Sequence, residues 1–310
     1  MTEIVISEFM DVDAVEDLKQ RYSVLYDPEL VDQPERLALL VADARALIVR
    51  NRTQVRGALL AAGGKLECVG RLGVGLDNID VEACKGRGIA VYPANGANDL
   101  SVAEYVITAS LMLLRRAWLS TADMVAGAWP RQKLIGEELS GKVMGLVGYG
   151  AIARQVAERA AALGMTCIGY DPFLAADNPA WGSTQPRSLE QLLAQADIVS
   201  LHTPLTAETR HLIDAKALAG MKKGAILVNA ARGGVVDEAA LAEALKAGLI
   251  GGAALDVFEV EPLTAEAGAR FAGLSNLLLT PHIAGVTEES NVRVSSLVAR
   301  KVAEHLGASK

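Results

Sequence analysis

Three stretches of the chain carry ionisable side chains just past short apolar runs. VNAARGGVVDE sets Arg232 beyond one run, LDVFEVEP sets Asp256, Glu259 and Glu261 beyond a second, and LLLTPHIAG sets His282 beyond a third. These residue types suit hydride transfer between a 2-hydroxy acid and a 2-oxo acid. An arginine offers a planar fork of N–H donors to a carboxylate and the adjacent carbonyl oxygen. A protonated histidine gives that oxygen a proton as hydride reaches the carbon, and acts as base in reverse. Glu261 would hold the imidazolium and keep the donor charged near neutral pH. Singly, each has a plainer explanation: a helix-flanking charge, a solvated carboxylate, a strand-end cap. Their combination at three strand ends favours a shared site.

Strand ends matter because ligands of doubly wound sheets collect at the carboxyl ends of the strands. Short apolar runs alternate with helical stretches along the whole chain, which predicts parallel α/β structure. Strands are predicted over 4–7, 46–49, 66–70, 89–92, 143–147, 166–170, 198–201, 225–229, 252–255 and 277–279. Helices are predicted over 12–20, 54–61, 152–163, 189–195, 238–247 and 288–305. The Ala-, Leu- and Val-rich segment 101–126 predicts one long helix, since no breaker occurs before Gly127.

The same edge carries a phosphate-binding pattern. In KVMGLVGYGAIARQVAERAAALGM, Gly148-x-Gly150-x-x-Ala153 follows a strand and opens a helix, the context of a dinucleotide fingerprint. Gly148 permits a tight turn, Gly150 lets the backbone approach a pyrophosphate, and Ala153 allows close helix–strand packing. The helix N-terminus faces the phosphates with N–H groups and its positive dipole end. Asp171 closes the next strand, 21 residues past Gly150, where a carboxylate would accept from the adenosine ribose and repel a 2′-phosphate. That favours NAD over NADP. A methyltransferase, which also binds an adenosine cofactor by a glycine loop and an acidic strand end, fits this segment taken alone.

Composition narrows the classes. Hydrophobic residues make up 51% of 310, too many for a disordered chain, and aromatics only 4%, so the core is aliphatic. A net charge of −7 argues against nucleic acid or an anionic membrane as partner. No apolar stretch reaches the length of a membrane span, and the N-terminus lacks a basic leader, so a cytoplasmic protein is expected. Cys68, Cys84 and Cys167 lack metal-ligand spacing and are expected as buried free thiols, with no metal site.

With these segments in place, the sequence resembles the D-isomer-specific 2-hydroxyacid dehydrogenases from Ala46 to Gly285. The matching motifs are VRNRT, VGRLGVGLDNID, NGANDLSVAEY, GLVGYGAIA, HTPLTAETR, NAARGGVVDE, ALDVFEVEP and TPHIAG. Together they dispose of the methyltransferase alternative. The resemblance implies two Rossmann-like or flavodoxin-like doubly wound parallel-sheet domains with a cleft between them. Residues 1–98 with 286–310 would bind substrate, and 99–285 would bind NAD. It implies Arg232, Glu261 and His282 as the catalytic trio. It places Gly148, Gly150, Ala151, Ile152, Asp171, Thr203, Ala230, Ala231, Asp256 and Gly285 along the cofactor. Val74 and Gly75 would offer backbone N–H groups to the substrate carboxylate. A homodimer through the long helix and its flanks is implied. Departures from the family pattern are Ala153 in place of a third glycine, Glu261 where formate dehydrogenases carry Gln, and no regulatory extension after the last helix.

The substrate's far end is read from cations. Arg50 and Arg52 flank Asn51 in VRNRT, and Arg71 precedes the LGVG loop. They would suit a phosphate, sulfonate or second carboxylate; exposed surface arginines are the alternative. The family pattern leaves 3-phosphoglycerate, glycerate and sulfolactate types open. A sulfomethyl group outranks carboxyl in stereochemical priority, so a D-type site could yield a product named S. A second reading, an NAD(H)-sensing binding protein on the same fold without turnover, also accommodates these motifs.

Overall fold

A computed structural model describes residues 2–308 of the chain. Two compact units form, Met1–Asn98 with Val286–Lys310, and Asp99–Gly285. The first holds strands β1 (Ile4–Ile6), β2 (Val24–Tyr26), β3 (Ala46–Val49), β4 (Cys68–Arg71) and β5 (Ala90–Pro93), all parallel in the order β2-β1-β3-β4-β5. Alternate strand residues bury on opposite faces, as period-two geometry demands. Ile4, Ile6, Ala46, Ile48 and Cys68 pack with Val294, Val298 and Val302 of the C-terminal helix Glu288–Ala308. Val5, Leu47, Val49 and Val69 pack on the other face with Leu37, Val41 and Leu60. Helix and sheet approach so closely that a Cβ on Gly70 would lie 2.6 Å from Val298 Cγ1.

The second unit holds β6 (Val143–Val147), β7 (Thr166–Tyr170), β8 (Gln185–Pro186), β9 (Ile198–Leu201), β10 (Ile226–Asn229), β11 (Gly252–Leu255) and β12 (Leu277–Leu279). All are parallel, in the order β12-β11-β10-β9-β6-β7-β8. The strand order reverses between β6 and β9, so the loops after these two strands flank the switch point where dinucleotides bind. Aliphatic layers cover both faces.

The structure departs from the expected elements in two respects. The two-residue edge strand β8 has no apolar run to announce it, and the three-residue edge strand β2, apolar but only partly buried, lies outside the predicted strands. The long helix stops early: it spans Asp99–Arg115, followed by a 3₁₀ turn, Ala117–Leu119, and a short helix, Thr121–Val125. Arg116 takes a left-handed φ of +51°, and the carbonyl of Leu114 accepts from Glu137 N–H of the returning chain at 3.0 Å. Past that point the helix would have no layer to bury against, and Met124 and Val125 stand exposed. The three cysteines are buried and unpaired. Burial pushes the thiols of Cys68 and Cys167 up to about 12 and about 11. Among the described residues, no helix is long and apolar enough to cross a membrane.

Candidate active site

Gly148 turns the chain after β6 at φ +84°. A Cβ there would lie 2.9 Å from the carbonyl oxygen of His202 and 3.1 Å from Thr203 Cγ2, so angle and space both demand glycine. Gly150 differs. It is the N-cap of the helix Ala151–Ala162, with an ordinary φ of −79°, and a Cβ would meet nothing within 4 Å. No side chain caps this helix, so its first-turn N–H groups are left for another acceptor. Ala153 is fully buried beneath it. Tyr149 anchors the loop from below: its ring stacks on Trp181 at 4.5 Å, and its hydroxyl lies 2.7 Å from Thr184 Oγ1.

Asp171 follows β7. Its Oδ2 accepts from Tyr149 N–H at 2.9 Å and its Oδ1 from Phe173 N–H at 2.9 Å, which fixes the carboxylate beside the glycine loop. Thr203 Oγ1, next to Gly148, is buried without a hydrogen-bond partner among the described residues. An orphaned hydroxyl, an uncapped helix N-terminus with open space above it, and a pinned carboxylate fit a dinucleotide.

The loops after β10, β11 and β12 carry Arg232, Glu261 and His282. Asn229 shapes the first: its amide donates to the Arg232 carbonyl at 3.0 Å, and its Oδ1 accepts from Ala231 N–H at 3.1 Å. Gly233 then lies against the second loop. A Cβ on it would fall 1.7 Å from the Phe258 carbonyl oxygen, so only glycine permits the approach. Glu261 Oε1 accepts from Phe258 N–H at 3.0 Å, and its Oε2 lies 2.8 Å from His282 Nδ1. Burial pushes the Glu261 carboxyl up, but the hydrogen bond and charge of His282, with Phe258 N–H and Arg232, hold it below the usual carboxylate range. His282 adopts a left-handed φ of +56° and is exposed. With Nδ1 on Glu261, Nε2 is the nitrogen left to face a substrate.

Asp256, expected along the cofactor, is 1% exposed and holds the histidine loop. Its Oδ1 accepts from Thr280 Oγ1 at 2.6 Å and Ile283 N–H at 2.8 Å, and its Oδ2 from Ala284 N–H at 2.7 Å. Tyr105 meets Thr280 Oγ1 from the other side. Ala230, Ala231 and Gly285 are half-buried on the loops after β10 and β12. Glu259 pairs with His211 at 3.1 Å, a second His–carboxylate contact. Sequence reasoning does not single out Asn229, Gly233 and Thr280: Asn229 shapes its own loop, and Gly233 and Thr280 work through contacts with segments distant along the chain.

In the first unit, Glu8 is 5% exposed and organises VRNRT: its carboxylate accepts from the N–H groups of Arg50, Arg52 and Thr53 at 2.8, 3.1 and 3.0 Å. Arg50 is half-buried, donates to Asn291 Oδ1 at 2.8 Å and lies 5.7 Å over the Phe9 ring. Burial pulls its pKa down. Asn51 is exposed. Arg52 pairs with exposed Asp32, a surface contact. Arg71 folds back over its own loop: Nη1 donates to the Leu72 carbonyl at 2.8 Å and fills the space beside Gly73. Val74 and Gly75 are half-buried on that loop.

Residues 107–284 match the family described as D-isomer specific 2-hydroxyacid dehydrogenase, NAD binding domain. The chain is 54% identical over 308 residues to an (S)-sulfolactate dehydrogenase of Chromohalobacter salexigens, covering 99% of both chains. It is 38% identical over 303 residues to a hydroxypyruvate reductase of Thermotoga maritima, covering 97% of each. A D-lactate dehydrogenase of Aquifex aeolicus, solved with NAD and lactic acid, superposes with a TM-score of 0.87 at 28% identity, over 98% of this chain and 95% of that one. The chain therefore belongs to the D-isomer-specific 2-hydroxyacid dehydrogenases and is an NAD-dependent oxidoreductase of 2-hydroxy acids.

Proposed function

We propose that this enzyme interconverts a small D-type 2-hydroxy acid bearing an anionic tail with its 2-oxo acid, and that sulfolactate and sulfopyruvate are the pair it takes. The observation that carries the substrate is the 54% identity to an (S)-sulfolactate dehydrogenase along both full chains. The S label agrees with a D-type site, because the sulfomethyl group outranks carboxyl. NAD, when bound, accepts or supplies the hydride at C2. Arg232 holds the carboxylate and the adjacent oxygen. In reduction, His282 Nε2 gives its proton to that oxygen while Glu261 holds Nδ1; in oxidation the proton returns to Nε2. The carboxylate at Nδ1 orients the ring and stabilises the imidazolium. Gly150, Ala151 and Ile152 take the pyrophosphate, Asp171 the adenosine ribose, and Thr203 the nicotinamide half.

Val74 and Gly75 N–H groups serve the substrate carboxylate. Arg50 is the candidate for the tail: it is half-buried, and Glu8, its nearest carboxylate, is committed to three backbone N–H groups. Asn51 beside it is a second candidate, and Arg71 a third through the loop it covers. Unpaired buried cysteines suit a cytoplasmic location. A homodimer forms through the segment after the long helix, where Met124, Val125, Trp129 and Ile135 are 43%, 85%, 77% and 66% exposed.

The test is NADH oxidation with sulfopyruvate, hydroxypyruvate, 3-phosphohydroxypyruvate and pyruvate, each repeated with NADPH. The proposal expects the highest kcat/KM with sulfopyruvate and NADH. A preference for pyruvate would refute the anionic tail. Saturable NADH binding without turnover on any of the four would favour a sensing role instead.

A further inference from the structure

Beyond the trio, a buried carboxylate ties its loops together. Glu238 opens the helix Glu238–Lys246 and is 3% exposed. Its Oε1 accepts from Glu259 N–H at 2.6 Å, and Glu238 N–H in turn approaches Glu259 Oε1 at 3.4 Å. The two glutamates thus exchange backbone bonds across the loops after β10 and β11. Each has a basic side chain beside it: Arg270 Nη1 lies 3.6 Å from Glu238 Oε2, and His211 Nε2 lies 3.1 Å from Glu259 Oε1. Asp237, the N-cap, faces its own helix, accepting from Ala240 N–H at 3.0 Å.

The residue before Glu259 is Phe258, whose N–H donates to Glu261 Oε1 at 3.0 Å. Consecutive N–H groups, 258 and 259, are therefore taken by Glu261 and Glu238. The Phe258 carbonyl is pressed against Gly233, next to Arg232. This peptide is held on both sides, and among the described residues Glu238 is the holder that is a buried side chain outside the loop itself. A Glu261 carboxylate anchored through Oε1 presents Oε2 to His282 Nδ1 at 2.8 Å; released, it could rotate away.

We propose that Glu238 is a positioning residue: by fixing the Phe258–Glu259 peptide it keeps Glu261 turned toward His282. The inference rests on the assignment of Glu261 and His282 to proton transfer. What the geometry requires of Glu238 is an acceptor oxygen for Glu259 N–H. The amide oxygen of a glutamine supplies that acceptor at the same chain length, while giving up the Arg270 contact at Oε2.

The experiment is a double-mutant cycle on the purified full-length enzyme, reading kcat, substrate KM and NADH affinity in 2-oxo acid reduction. Glu238→Ala is expected to lower kcat roughly tenfold with NADH affinity within about twofold of wild type. Glu238→Gln, which keeps the acceptor, should recover to within about threefold. In a Glu261→Gln background, Glu238→Ala should cost less than about twofold more, because residues acting through one group are non-additive. If Glu238→Ala does not fold, Glu238→Asp, one methylene short, replaces it in the same cycle. Equal losses in both backgrounds, or a Gln variant as slow as the Ala variant, would overturn the proposal. Near-normal turnover of Glu261→Gln alone would instead overturn the underlying assignment, so the two failures are distinct.

Discussion

Gly148 and Gly150 stand two residues apart in one turn, and alanine at each should have opposite effects. At Gly150 the backbone is extended (φ −79°, ψ −166°), a conformation open to any residue, and a Cβ would meet nothing within 4 Å. Alanine there narrows the unfolded ensemble without straining the folded one, so stability should stay level or rise by about 0.4–1 kcal/mol. That is an upward shift in Tm of roughly 1–3 °C for a chain of this size. The same methyl stands where a pyrophosphate must approach the helix N-terminus. Loss of one charge-assisted hydrogen bond, about 1.5–3 kcal/mol, weakens NADH binding by roughly 10- to 100-fold. At Gly148 the φ of +84° costs alanine about 1–2 kcal/mol. Its Cβ would also press on the His202 carbonyl at 2.9 Å, adding about 1–3 kcal/mol of overpacking. Thermal melts without cofactor and fluorescence titrations with NADH read both quantities. A Gly150→Ala variant that binds NADH like wild type would refute the placement of the cofactor phosphates, and one that melts below Gly148→Ala would refute the reading of the turn.

Asp171→Ala should narrow the preference for NADH over NADPH, read as the ratio of kcat/KM values; a wild type that already prefers NADPH would contradict the role of this carboxylate. Gly233→Ala must part the Arg232 and Glu261 loops by about 1.5 Å to reach ordinary contact, and kcat should fall by roughly 10²-fold while NADH affinity holds. The Glu261 carboxyl is held below its unfolded value, so its stabilising contribution is full above the ordinary carboxylate range and disappears as pH falls through the folded value. Melting curves of wild type and Glu261→Gln should therefore converge as the pH is taken below the ordinary carboxylate range; a gap that widens there would contradict the sign.

Much of the architecture is legible in the chain because each buried strand is a short apolar run ended by a turn residue. Val143–Val147 and Ile198–Leu201 are visible for that reason. Gln185–Pro186 is not, since an edge strand needs little apolar sequence, and Val24–Tyr26, apolar but only partly buried at the edge of the other sheet, lies outside the predicted strands. The helix predicted over 101–126 overreaches the observed Asp99–Arg115 because apolar composition continues past Arg115, while the layer that would bury it does not. Residue type and strand-end position sufficed to nominate Arg232, Glu261 and His282. Glu259, a neighbour of Glu261 in the same motif, also pairs with a histidine, His211, so the two carboxylates are told apart by which histidine each meets. Glu238 reads in sequence as an ordinary first-turn acid; its bond to Glu259 N–H exists only once two loops 21 residues apart are packed together.

The central claim is that His282 moves the proton. Replacing it with Ala should lower kcat for 2-oxo acid reduction by roughly 10²-fold or more, with NADH affinity unchanged, since its side chain pairs with Glu261 rather than with the glycine loop. Turnover of His282→Ala within about threefold of wild type would contradict the account.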